Sequence, residues 1–268
     1  MPDTDLKGSI KLGNYLKHLR LGYGYSLRKV EEKARLSGGE IDNSQLSRYE
    51  KGRCYPSFDK LRVLAGIFNV SIQSFSDVVD LESYEELRPE ADRFEDLLEA
   101  GNEQSLHGNY VHAYAAFQKA VEMVEEEGES GCPDATARLA RARYGLARTL
   151  LKMGKISLGE YELRNVLRLA SGSDPAIIIK TLLQLTNAHA EQGDRFLARL
   201  EAEKCLSLAR CEEDTLSVAY SLHALGRIAY EEMDYESALQ YYRDALTAYE
   251  AVEDLAGCLL MKVQIGSA

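Results

Sequence analysis

Between Asp42 and Arg53 the chain reads Asp-Asn-Ser-Gln-Leu-Ser-Arg-Tyr-Glu-Lys-Gly-Arg. Asn43, Ser44, Gln45, Ser47 and Arg48 crowd one short stretch with hydrogen-bonding groups, and Lys51 and Arg53 stand at its exit. These side chains suit duplex DNA: an Asn amide bonds adenine, an Arg fork matches guanine, and Lys or Arg holds phosphate. Asp42 is placed to cap a helix by accepting from its unpaired first-turn amides. Leu46 and Tyr49 supply a narrow apolar stripe, and Gly52 a C-terminal stop. A helix this short and polar does not form alone, so a scaffold must present it. Taken by itself, the stretch fits an ordinary solvated helix equally well.

The flanks supply a scaffold. Leu12, Leu16 and Leu19 recur at helical spacing and mark a first helix, broken by Gly22 and Gly24. Ser26 caps a second, with Leu27, Val30 and Ala34 on its apolar side. Arg28 and Lys29 near its start are placed to touch phosphate, the alternative being plain solvation. After the polar helix, Pro56 blocks continuation. Ser57 then caps a fourth helix carrying Leu61, Leu64, Ala65 and Phe68, which Asn69 ends, and Ser71 caps a fifth with Ile72, Phe75 and Val79. Met1 to Ser9 reads as a frayed polar tail.

From about Leu12 to Val79 this order resembles the Xre/Cro-type helix-turn-helix of phage and bacterial repressors. The resemblance rests on Leu19-Arg20, on Ser26 to Val30, on Leu46-Ser47-Arg48-Tyr49-Glu50-Lys51-Gly52 and on Pro56 to Leu61. It implies that Arg20, ending the first helix, pairs with Glu50, and that Arg28, Lys29, Asn43, Ser44, Gln45, Ser47, Arg48, Lys51 and Arg53 face DNA. The turn from Arg35 to Ile41, with Gly38-Gly39, is longer than the short turn usual in that family and leaves the entry angle of the third helix open.

The 268-residue chain carries a net charge of −11, which looks wrong for a DNA binder until it is divided. Residues 1–80 hold 13 Lys/Arg and 10 Asp/Glu, a net +3, and the remainder is −14. The basic share sits on the candidate DNA module, as phosphate contact requires; the acidic remainder reads as a regulatory or assembly part. No long apolar run and no basic-then-apolar start is present, so neither a membrane span nor a signal peptide is expected, and the protein reads as cytoplasmic. The five cysteines, Cys54, Cys132, Cys205, Cys211 and Cys258, are scattered and read as reduced and mostly buried, with Cys205 and Cys211 the weak candidates for a redox pair. No metal-spaced His/Cys set, phosphate loop or nucleophile–base pair is evident, so no metal site, catalytic residue, cofactor or enzyme activity is expected.

Residues 81–92, acidic and containing Pro89, read as a linker that is part helical around Ser83 to Leu87. From 93 to 268 the pattern is helical and repeats itself. Turns at Gly108, Gly154, Gly193 and Met233 are spaced 46, 39 and 40 residues apart, and seven residues before each lies a short side chain: Gly101, Ala147, Thr186 and Gly226. Apolar positions such as Phe117, Leu163 and Tyr242 follow each turn at matching distances. This resembles the tetratricopeptide repeat, whose usual period is about 34 residues, with four hairpins, a looped entrance to the second at Gly128 to Pro133, and a capping helix at Leu255 to Ile265. The expected fold is therefore all-α: a five-helix repressor-type domain over 1–80, the linker, and a tetratricopeptide-like α-solenoid over 93–268.

That resemblance implies that the residue after each short side chain lines an inner surface: Asn102, Arg148, Asn187 and Arg227, with Arg141, Tyr144, Lys152, Lys180, His223 and Tyr230 on the same faces. Asn amides suit a peptide backbone and Arg a carboxylate. The alternative is pairing with neighbouring carboxylates such as Glu191 or Glu231. A repressor-type module joined to such repeats resembles the Rap/Rgg/NprR/PlcR/PrgX group of peptide-sensing, quorum-type regulators. The resemblance implies a homodimeric transcription factor on a palindromic operator, controlled by a short peptide. A repeat domain that docks a partner protein, without any small effector, is the competing expectation.

Overall fold

The structure is a computed structural model, which describes residues 8–127, 133–170 and 174–267. They divide into two compact units meeting between Arg88 and Pro89.

In the first unit α1 spans Ile10–Gly22, α2 Leu27–Leu36, α3 Asn43–Glu50, α4 Phe58–Phe68 and α5 Gln73–Asp80. The local caps follow from the residues at each start. Ser26 accepts from the Lys29 amide at 3.1 Å, and Asp42 from that of Gln45 at 2.7 Å. Gly52 takes the left-handed backbone, φ 64°, that closes α3, and Asn69 does the same for α4 at φ 48°. Leu12, Leu16, Leu19, Val30, Ala34, Leu46, Tyr49, Leu64, Phe68 and Phe75 form the buried interior. Ile41 joins them and pins the long turn from inside.

Three expectations need correction here. Ser57 makes no side-chain cap bond. Val78 rather than Val79 is the buried valine of α5. Ser9 is buried and caps α1, accepting from the Leu12 amide at 2.9 Å and donating to Glu82; the rest of the presumed tail, residues 1–7, lies outside the described residues. Residues 81–88 cluster with the first unit. Leu81–Leu87 is a 3-10 turn whose Leu81 is buried and whose carbonyl accepts from Lys11 Nζ at 3.1 Å.

The second unit is a run of antiparallel hairpins: α6 Phe94–Leu106 with α7 Tyr110–Glu126, α8 Pro133–Lys152 with α9 Ile156–Ala170, α10 Pro175–Glu191 with α11 Arg195–Cys211, and α12 Thr215–Glu231 with α13 Tyr235–Ala251. α14, Leu255–Ser267, follows. Each element packs on its neighbours in sequence, as stacked repeats must. The short side chains make room for aromatic rings. A Cβ on Gly101 would lie 2.7 Å from the Phe117 ring, and one on Gly226 2.5 Å from that of Tyr242, so neither position accepts a larger residue without movement. The turns at Gly108, Gly154 and Gly193 have φ between 75° and 78°, and Met233 takes the same left-handed form at 64° without a glycine. A second regularity runs beneath the hairpins. Asp174, Asp194, Asp214, Asp234 and Asp254, each twenty residues from the last, accept from the amide three residues on. The entrance to the second hairpin before Pro133 lies outside the described residues.

Candidate DNA-reading helix and ligand-binding wall

α3 is held by a buried pair. Arg20 Nε and Nη2 donate to the two Glu50 carboxylate oxygens at 2.6 and 2.8 Å, and Nη1 donates to the Tyr25 carbonyl at 2.9 Å. The side chains are only 11% and 8% exposed. This fork ties the end of α1 to the end of α3 and leaves no guanidinium nitrogen idle, which is what makes such a pair tolerable away from water.

The outward face of α3 is divided between structure and availability. Arg48 is exposed and its guanidinium has no partner among the described residues; Asn43 and Ser47 are half-exposed. Ser44 and Gln45 are committed elsewhere. Ser44 Oγ donates to the capping Asp42 carboxylate at 2.6 Å, and Gln45 Oε1 accepts from Lys60 Nζ at 2.9 Å. The bond from Ser44 and that from the Gln45 amide hold the Asp42 carboxyl below its ordinary range, keeping the cap ionised. Lys51 and Arg53 stand exposed beyond Gly52. At the start of α2, Arg28 is exposed and without a partner among the described residues, whereas Lys29 pairs with Glu32 at 2.8 Å. Lys60 was not anticipated; its signal, Pro56 to Lys60 leading into α4, was read only as a helix start.

In the second unit the first helices of successive hairpins, α6, α8, α10 and α12, touch one another and form a continuous wall. Asn102, Arg148 and Asn187 are exposed on it, each following a buried residue, Gly101, Ala147 and Thr186. Arg148 lies 5.8 Å from the centre of the Tyr144 ring. The Tyr144 hydroxyl bonds Gln184, joining α8 to α10; burial raises its pKa. Gln184 was missed, although it precedes Asn187 by one helical step. Lys152 and Lys180 are exposed without a described partner. Arg141 is different: its fork meets Glu95 at 3.1 and 3.0 Å, so it is neutralised within the unit.

Around α12 the wall becomes aromatic. Tyr230 packs edge-on against Tyr235, centres 5.4 Å apart, and the half-buried His223 lies 6.3 Å from the Tyr242 ring. Burial, and then the nearby Arg227 charge, hold the His223 pKa below 6.5, so the imidazole is neutral at neutral pH. Arg227 itself has Nε and Nη2 buried with no hydrogen-bond partner among the described residues. Glu231, the neighbour expected to neutralise it, instead pairs with Arg195 at 3.4 Å.

Residues 16–75 match the family model described as helix-turn-helix. The first unit is a helix-turn-helix domain. No curated protein matches the chain. Solved structures similar to it include BtubC (BKLC) from P. vanneervenii, at 14% identity over 94% of this chain and 82% of that one, with a TM-score of 0.54. PlcR from Bacillus thuringiensis, solved with the peptide PapR7 and DNA, is 14% identical over 94% and 99%, with a TM-score of 0.45. ComR from S. thermophilus, solved with DNA and its signalling peptide ComS, is 14% identical over 96% and 99%, with a TM-score of 0.40. At these identities the first likeness concerns the helical fold alone.

Among the described residues no helix is long and apolar enough to cross a membrane, and no His, Cys, Asp and Glu are grouped to hold a metal ion. Cys205 and Cys258 are buried, Cys54 is partly exposed and Cys211 exposed, all four as free thiols; Cys132 lies outside the described residues. Burial raises the Cys205 thiol pKa, which works against thiolate chemistry there.

Proposed function

We propose that this chain is a cytoplasmic, sequence-specific transcriptional regulator that reads a palindromic operator as a homodimer, and that the wall of its second unit binds a short extended peptide bearing a carboxylate. DNA reading rests on an exposed Arg48 presented by a helix whose base is locked by Arg20 and Glu50. Arg48 and Asn43 are the base readers, and Arg28, Lys51 and Arg53 the phosphate contacts; Ser44, Gln45 and Lys29 act in positioning.

One observation carries the ligand half. Two buried Arg227 nitrogens lack a partner, and a donor left idle away from water costs free energy that an incoming carboxylate fork would recover. In this assignment Asn102 and Asn187 hold the peptide backbone, Arg148 and Arg227 its carboxylates, Tyr144, His223 and Tyr230 its side chains, and Lys152 and Lys180 the rim. Arg141, already paired with Glu95, contributes little. Coupling to DNA requires the peptide to prefer one dimer geometry; a tenfold change in operator affinity needs only about 1.4 kcal/mol of preference. A protein-docking wall is the second reading, favoured by the Arg141–Glu95 pair, which shows that some wall charges are satisfied internally. Operator titrations with and without peptides recovered from cell extract separate the two. A ligand-driven shift in affinity supports the peptide, and a partner captured without any such shift supports docking.

A further inference from the structure

α3 begins with two exposed side chains that can only accept hydrogen bonds. Asp42 Oδ1 accepts from the Ser44 hydroxyl at 2.6 Å and from the Gln45 amide at 2.7 Å, while Oδ2 takes neither bond. An ionised carboxylate has no proton to give. The Ser44 hydroxyl has one, and it is spent on Asp42, so its remaining lone pairs also only accept. The amide bond by itself caps the helix; the hydroxyl bond adds orientation, because two bonds onto one oxygen fix where the other points. Lys60 completes the arrangement. Its ammonium is held by Gln45 Oε1 at 2.9 Å and, after the Ser44 and Gln45 bonds, helps to keep the Asp42 carboxyl below its ordinary range. A positive charge therefore stands near the carboxylate and offsets the repulsion it would meet from DNA phosphates.

We propose that Asp42 is itself a base reader, and that it selects a cytosine in the operator through the exocyclic amino group. In the major groove guanine shows two acceptors, thymine an acceptor and a methyl group, adenine an acceptor beside its amino group, and cytosine an amino group alone. A side chain that only accepts finds nothing to bond on guanine or thymine. On adenine its charge meets the N7 lone pair next to the amino group. Cytosine offers the donor without an adjoining acceptor on the same base. The next residue, Asn43, carries both a donor and an acceptor and suits adenine, whereas Arg48 carries donors only and suits guanine. One short helix thus displays three hydrogen-bond polarities, each with a different best base, and Ser44 serves by aiming the first of them. Asp42 acts in this way only as part of an α3 that reads DNA, as proposed above.

Selection of an operator by the full chain from a random-sequence duplex library, followed by titration of single base-pair changes in the selected site, tests this. One pair should require cytosine, any other base there weakening binding roughly ten- to a hundredfold. Asn caps a helix as well as Asp does, so Asp42→Asn should leave the melting curve unchanged. In that variant the preference at this pair should move from cytosine to adenine while every other pair keeps its own. Ser44→Ala retains the carboxylate and its amide bond, and should soften the same preference several-fold at that pair alone. A site with no cytosine requirement, or an Asp42→Asn variant that keeps every base preference or weakens all sequences alike, would overturn the proposal and leave Asp42 as a cap only. If Arg48→Ala still relaxes a base pair in that case, α3 remains the reader and only the role of Asp42 falls; if neither variant alters any pair, α3 is not the reader.

Discussion

Arg20 and Arg227 are both arginines drawn largely out of water, one in each unit, and they are treated in opposite ways. Arg20 has every nitrogen engaged, two by Glu50 and one by the Tyr25 carbonyl. Arg227 has two nitrogens buried and idle, beside a neutral His223 and the Tyr242 ring. A satisfied buried charge fixes the geometry of its own surroundings. An unsatisfied one weakens them, and in the function proposed above it is met by the ligand.

The contrast is broken most directly at Glu50. Glu50→Ala strands Arg20, which should lower the stability of the first unit by about 3–5 kcal/mol and abolish operator binding. Differential scanning calorimetry of the full chain checks this, and an unmoved first-unit transition would remove the pair from the account. Arg48→Ala should cost ~1–3 kcal/mol on the specific operator and relax one base position, with the fold intact. Arg28→Ala or Lys51→Ala should weaken all DNA sequences alike and lower the salt slope by roughly one unit. Gel-shift titrations at several salt concentrations separate the two classes.

At Arg227 the sign should reverse. Arg227→Met is expected to raise the stability of the ligand-free second unit by about 1 kcal/mol, since it removes idle buried donors, while abolishing the response to ligand and sparing basal operator binding. Arg148→Ala should lose the response without the gain in stability. A second unit destabilised by Arg227→Met would mean that its guanidinium is satisfied after all. The smallest effect is at His223. Its depressed pKa means that the folded protein resists protonation, so its contribution to stability is present above pH 6.5 and is lost as pH falls through the folded value. Proton NMR should place that pKa below 6.5, and Arg227→Met should move it part of the way back.

How far the sequence reveals this molecule depends on how far apart the partners lie. Asp42 over Gln45 and Ser26 over Lys29 are three-residue events and can be read directly. So can the glycine turns and the gaps at Gly101 and Gly226. Arg20 and Glu50, thirty residues apart, were accessible only through a family resemblance. Ser44 and Gln45 looked like base readers because nothing local reveals that Asp42 and Lys60 claim them. Arg141 looked available because Glu95 reaches it only once α6 and α8 are stacked. A cap at Ser71 points to Val79, whereas α5 starts at Gln73 and buries Val78. The aspartates recur every twenty residues, half the length of a hairpin, so the hairpin period does not reveal them.

Those aspartates have a kinetic meaning. Each helix from α10 onward begins with the same local device and then leans mainly on its immediate neighbours. Such an array behaves as a zipper, opening from its end inward, and its amide-exchange rates grade along the chain instead of rising together.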